Sequence, residues 1–577
     1  MSAAEVASSS MTFGLQALGW INPLDFVLFR SWESGIFERG LWENVLFGFR
    51  IGLALVTAGL LIAEFFVRRA GARPPHRFVK WSCITLTVAG FFAYFGFFNP
   101  NVRYDQYYHR HEMFHYYLGS KYSNELGYGR LYECTAVAEV ELGFGDQLKD
   151  KELRALRNHN LIQPIVDTYV FDDPSQCKRH FSTGRWESFK KDIAWFEQSS
   201  RGTYWDNMKK DHGYNPPPVW TMTGKLFASL GPASDTTMKW LASIDVLLHV
   251  GTLALFVWGF GWRVAAVASV FWGTNAVGNF YWTGGAFLRQ DWLFLFIASM
   301  CLAKRHRYFA SGAAITWSAL LRVFPVVALF GYGVIIGLYW LRHRRFHPAH
   351  RRFIAGCATA GALLLPTSLV VVGPQAYGEF VQHISLHKNT PLTNHMGLET
   401  ILVHDWDGKM RFTRDDSQDD AFEGWKQGRA DRKAQRTPLM VLIWLTLGAA
   451  IVWALRNQRA LWLGLPLSIP LIISLTNLTC YYYAMFIAFA ALIRVRRSLG
   501  PPLLMCAAAS QILLSKYYWI DDRYAALSYL FVGFSWIPLV ALSRPLTRSA
   551  LRGWLQTLRL NRQTPTTPAA RENPADA

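Results

Sequence analysis

The chain has 577 residues, of which 51% are hydrophobic and only 17% charged, and its formal net charge is +19. Soluble proteins carry about 25% charged residues, so an ordinary soluble enzyme is a poor match. The cations sit in short runs between long apolar stretches, the pattern of a polytopic membrane protein. Nucleic acid is not the implied partner: the basic runs at 68–80, 304–307, 342–352, 494–497 and 544–562 each abut an apolar segment, where the positive-inside rule and anionic lipid account for them.

Residues 1–43 hold an apolar stretch, 11–30, interrupted by Asn22-Pro23 and Asp25, which fits an interfacial or re-entrant segment better than a span. A crossing helix needs about 20 apolar residues. Candidate spans follow at 44–67, 80–98, 239–260, 264–283, 290–303, 308–322, 325–341, 353–373, 437–455, 460–475, 479–493, 502–516 and 524–543. The run 308–341 is divided at Arg322-Val323-Phe324-Pro325, because proline breaks the backbone ladder and arginine prefers a boundary. The expected fold is therefore all-α, a polytopic integral membrane protein with about 13 transmembrane helices, in the range 12–14.

Two helices fall in 44–98, six in 239–373 and five in 437–543. They frame two large loops, 99–238 and 374–436, and a basic, partly disordered tail, 544–577. Placing the connection 68–80 in the cytoplasm puts every arginine-rich loop and the tail on that side, and both large loops outside. Five of the seven cysteines lie in or beside apolar segments, where packing explains them. Cys134 and Cys177 share the first large loop and can form a disulfide if it faces an oxidising compartment.

That loop opens with YDQYYHRHEMFHYYLGSKY, and residues 111–115 spell H-E-x-x-H. In zinc proteases this spacing lets His111 and His115 grip the metal while Glu112 activates its water. Such a site needs a third ligand; Glu133, Glu139 and Glu141 are loosely in range, and none has a recognisable ligand context. Interfacial anchoring explains the tyrosines, but it does not explain Asp105, His109, His111, Glu112 and His115 in one short stretch. On a helix Glu112, His115 and Tyr116 share a face, as do Asp105, His109 and Glu112. A carboxylate so placed can be a general base, a metal ligand or part of a solvated face.

The stretch EMFHYYLGSKYSNELGYGRLYE resembles the first external loop of C-type glycosyltransferases, in particular the polyprenyl-phosphomannose-dependent mannosyltransferases of glycosyltransferase family 87. The matching places are Glu112, Tyr116, Gly119-Ser120, Gly129 and Leu131-Tyr132. YNPPPVW, with Pro216 to Pro218, is similar to the family's Tyr-Pro-Pro motif. GGAFLRQDWLFLF, AKRHR and SALLRVFPVVALF resemble its paired helices with a cation before a proline, and NTPLTNHMGLETIL resembles a later external segment. The likeness runs over roughly residues 80–405 in the family's order.

Three places depart from the pattern. Glu112 stands where the family usually has aspartate, and Met396 where it often has serine. The interval from Tyr132 to Pro216 is also long, as for an inserted subdomain that takes an acceptor or partner.

The resemblance implies transfer of a sugar, by default mannose, from a polyprenyl-phosphate-linked donor to a lipid or glycan acceptor outside the cytoplasm. The implied setting is a bacterial inner membrane with the site on the periplasmic side. An inverting displacement needs a base, cationic donors for the departing phosphate and an apolar groove, with no cofactor or metal required. Glu112 is the first choice of base and Asp105 the second. Arg322, Arg289, Lys388 and His395 are the phosphate-binding candidates, and His111, His115, Tyr116 and Asn394 the other substrate contacts. Ordinary alternatives stand beside these: Arg322 can snorkel to the interface, and Arg289 and Asp291 can form an ion pair. The competing functions are a zinc metalloprotease built on residues 111–115 and a non-enzymatic transporter or scaffold. Protein partners are not legible.

Overall fold

The computed structural model describes residues 39–99, 107–157, 160–200, 202–418 and 420–543. The segment 11–30, the basic tail and Asp105 lie outside the described residues. The architecture is all-α. Helix runs through most of every predicted span, but 264–283 breaks after Thr274 and resumes only as the short helix Phe280–Thr283. The strands among the described residues are two short antiparallel pairs, Glu152–Arg154 with Ile162–Pro164 and His395–Met396 with Leu478–Thr479.

Among the described residues seven helices are long and apolar enough to cross a membrane: Trp42–Arg69, Asp235–Phe260, Phe324–His343, Pro348–Val372, Glu423–Leu455, Arg497–Lys516 and Ile520–Ser543. Shorter apolar helices, including Tyr308–Leu321, Leu461–Leu475 and Cys480–Arg494, lie among them. The long helices keep large apolar side chains on their outward faces, such as Leu363, Val370, Leu442 and Leu445. Water would penalise such faces and lipid would not. This is the build of an integral membrane protein.

Small residues set the closest helix contacts, as expected where packing rather than water drives association. A Cβ on Gly273 would lie 2.0 Å from the Gly90 carbonyl oxygen, which brings Trp262–Thr274 against His76–Tyr94. Gly356 meets the Phe309 carbonyl in the same way, joining Tyr308–Leu321 to Pro348–Val372. The break predicted at Arg322 is present: Tyr308–Leu321 ends there, Arg322 is extended, and a 3-10 turn carries Pro325. One boundary moves. The span expected to begin at 437 is the second half of a helix that starts at Glu423, because Arg429, Arg432 and Arg436 continue the helix beyond the apolar run.

The interval 131–213 is a folded subdomain. Cys134 and Cys177 are disulfide-bonded, with Cα atoms 5.5 Å apart. Two of its buried carboxylates, Glu139 and Asp192, are well supplied with donors, whereas Glu133 Oε2 finds no hydrogen-bond partner among the described residues. The Lys209 ammonium donates to both Glu139 oxygens at 2.8 and 2.7 Å, and Trp205 Nε1 adds a bond of 2.6 Å to one of them. On the long helix Thr183–Ser200, Asp192 accepts from Lys121 at 2.7 Å, Tyr122 at 2.8 Å and the Ala233 amide at 2.8 Å. Asp192 thus ties the insert both to the stretch after the H-E-x-x-H motif and to the entry of the Asp235–Phe260 helix.

Candidate functional site

The motif-bearing stretch forms a short helix, Arg110–Met113, that passes into a wider π-turn over Phe114–Leu118. Such π-turns often mark functional positions. The Glu112 carboxylate points inward and pairs with Arg289 Nε at 3.1 Å; the two side chains are 17% and 3% exposed. Glu112 Oε2 has no aligned hydrogen bond among the described residues. Burial pushes this carboxyl above its ordinary value, with Arg289 and His111 opposing.

Arg289 is held from several sides. Its amide donates to Asp245 at 3.0 Å, its guanidinium bonds the Tyr116 hydroxyl, and it lies over the rings of Tyr116 at 4.4 Å and Tyr481 at 5.1 Å. Local chain geometry sets its direction. Gly285, at φ +76°, lets this segment lie against the backbone of Tyr107 to His109, and Leu288 adopts a left-handed φ of 52° just before Arg289. For a residue other than glycine that conformation is costly and needs the surroundings to hold it. Trp220 helps by donating to the Leu288 carbonyl at 2.9 Å.

Arg322 does not snorkel. It is buried, with its guanidinium 5.6 Å from the Trp220 ring and 6.0 Å from that of Tyr116. Its Nη2 finds no hydrogen-bond partner among the described residues, and neither does Oδ2 of the buried Asp291. Two cations therefore lie within 6.0 Å of the Tyr116 ring, and the charge of each acts on Glu112.

The pieces singled out in the sequence meet here. Tyr214 lies so close over Gly119 that a Cβ there would be 2.3 Å from its ring, and Tyr116 packs edge-on to Trp220 at 5.1 Å. His395 is linked to the site through its strand: it pairs with Thr479, two residues before Tyr481, while the Asn394 carbonyl accepts from the Cys480 amide at 3.0 Å. His395 Nδ1 accepts from the Leu392 amide at 3.3 Å and lies 3.1 Å from Asn477 Nδ2, which leaves its proton on Nε2. Lys388 lies on the helix Gln375–Asn389, and its side chain lies outside the described residues, as does Asp105. Beyond Asp245 an aromatic recess is lined by Tyr94, Phe95, Phe98, Tyr107 and Phe280.

His111 and His115 find other partners than Arg289. His111 Nε2 meets Asp211 Oδ2 at 2.9 Å. His115 Nδ1 donates to the His111 carbonyl at 2.7 Å, so its Nε2 accepts from the Tyr132 hydroxyl at 2.7 Å. Burial holds the His115 imidazole down to about 4, helped by the charge of His111. Donor atoms of His111, His115 and Asp211 all lie within 4.8 Å of one another, a spacing able to hold a metal ion.

Sequence reasoning missed Asp211, Asp245, Tyr481 beside Arg289 and Tyr482, which hydrogen-bonds the Arg322 side chain. Asp245 carried a usable signal, an acid inside an apolar span. Asp211 lay far from the motif, and the tyrosines were absorbed into a predicted span. No protein-family model, curated protein or solved structure matches the chain.

Proposed function

We propose that the protein is a C-type membrane glycosyltransferase that moves a sugar, by default mannose, from a polyprenyl-phosphate-linked donor to an extracytoplasmic lipid or glycan acceptor. The observation that carries this is the convergence of Glu112, Arg289 and Arg322 around Tyr116, with hydrogen-bonding capacity unspent on Glu112 and Arg322. Unsatisfied buried polar atoms also occur elsewhere, Glu133 Oε2 and Trp272 Nε1 among them, so the reading rests on a carboxylate and two guanidiniums gathered at one tyrosine.

In the proposed reaction Glu112 takes the proton of the acceptor hydroxyl. The freed oxygen attacks the anomeric carbon opposite the phosphate, the bond from that carbon to the phosphate oxygen breaks, and the configuration inverts. Arg289 and Arg322 hold the departing polyprenyl phosphate as its charge grows. About 13 crossings with both large loops outside complete the architecture, and the disulfide in the first loop fits an oxidising space such as a periplasm.

A metalloprotease would need Glu112 aimed at a metal-bound water; its pairing with Arg289 favours glycosyl transfer. The test is transfer of radiolabelled sugar from polyprenyl phosphomannose by purified protein. Glu112→Gln should slow transfer about 10²–10⁴-fold with the melting temperature retained. Full activity in Glu112→Gln and Asp105→Asn, singly and combined, would remove the carboxylate base.

A further inference from the structure

The H-E-x-x-H stretch divides into two faces with different surroundings. Glu112 turns into the protein toward Arg289. The flanking histidines meet the segment through which the insert returns, His111 through Asp211 and His115 through Tyr132, which Gly213 holds. Three donors converge there from positions a hundred residues apart: His111, His115 and Asp211.

The donor set is already oriented. His115 spends its Nδ1 proton on the His111 carbonyl at 2.7 Å, which leaves Nε2 as the lone-pair nitrogen, engaged by the Tyr132 hydroxyl at 2.7 Å until an ion displaces it. A second-atom bond of this kind fixes the tautomer of metal-bound histidines. The His111 ring lies 4.8 Å from the His115 ring, one turn away on the same side. Asp211 is partly exposed, so an ion has a path from solvent. Tyr132 is fixed by the Gly213 amide at 2.9 Å, and its hydroxyl occupies the Nε2 lone pair that an ion would take.

We propose that His111, His115 and Asp211 form a binding site for a divalent first-row metal ion, with zinc the best match, that clamps the returning segment of the insert to the helix bearing Glu112. Two imidazoles and one carboxylate are a donor set zinc accepts, with a fourth position left for water. The clamp is separate from the proposed sugar transfer, which needs no metal, and it gives the H-E-x-x-H spacing a role without proteolysis.

The test uses the full chain in detergent, stripped with chelator, then dialysed against zinc and measured by elemental analysis. One zinc per chain and a higher melting temperature are expected for the parent protein. Asp211→Ala and His111→Ala should each lose the bound ion and the thermal shift, whereas Asp211→His, which restores a donor, should keep both. Replacing zinc by cobalt should give the visible absorption of a low-coordinate site in the parent and none in Asp211→Ala. A folded parent protein that holds no zinc after dialysis would overturn the proposal, as would an Asp211→Ala variant that binds as the parent does. Neither outcome depends on transfer activity, so the clamp and the enzyme assignment fail separately.

Discussion

Two groups of buried charge, one inside the insert and one where the start of the first large loop meets Arg289, Asp291 and Arg322, differ in how completely they are satisfied. In the insert, the Lys209 ammonium reaches both Glu139 oxygens and Trp205 adds a donor, while Asp192 takes three hydrogen bonds. Around Tyr116, Glu112 has an ion partner but no aligned hydrogen bond on Oε2, and Arg322 Nη2 and Asp291 Oδ2 stay unused among the described residues. Desolvating a charge costs several kcal/mol per ion, so both clusters are expensive. The Glu139 and Asp192 clusters offset the cost internally. The Tyr116 cluster does so only in part, and that difference motivates the proposal that it serves a charged ligand.

The contrast can be broken by removing one charge from each cluster. Lys209→Met strands the Glu139 carboxylate in the core and should cost about 3–5 kcal/mol of stability, read as a large drop in melting temperature. A Lys209→Met protein as stable as the parent would show that the insert's pair is not structural. Reduction of the Cys134–Cys177 disulfide, which closes a separation of 43 residues, should have a smaller effect, about 2–4 kcal/mol. It should loosen the insert first, seen as faster amide exchange over 131–213 than in the helices 235–260 and 348–372. Uniform loosening would mean that the insert is not a distinct unit.

The parts of this arrangement that could be read in the sequence are those with local causes. Apolar runs predicted the helices, and Arg322 followed by Pro325 predicted the break, because proline and an arginine boundary act within a few residues. Glu112, Tyr116, Arg289 and Arg322 were legible as candidates by residue type and position. Their meeting around one tyrosine ring was not, since it depends on the Gly285 approach and the left-handed Leu288. Asp211 was invisible for a related reason. Its pairing with His111 spans the whole insert, and no periodicity carries a contact of that range. The helix extension from 423 to 436 was hidden because arginines, read as loop, are also good helix formers.

The central claim is that the unspent charge around Tyr116 is kept for a lipid phosphate. The most direct measurement is polyprenyl phosphate binding by the parent protein and by Arg322→Met, each with its melting temperature. The account predicts that Arg322→Met loses at least about thirtyfold in affinity, the equivalent of ~2 kcal/mol for a charge-assisted contact. Its melting temperature should stay the same or rise, because the lost guanidinium was incompletely paired. A folded Arg322→Met protein that binds polyprenyl phosphate as tightly as the parent would contradict it.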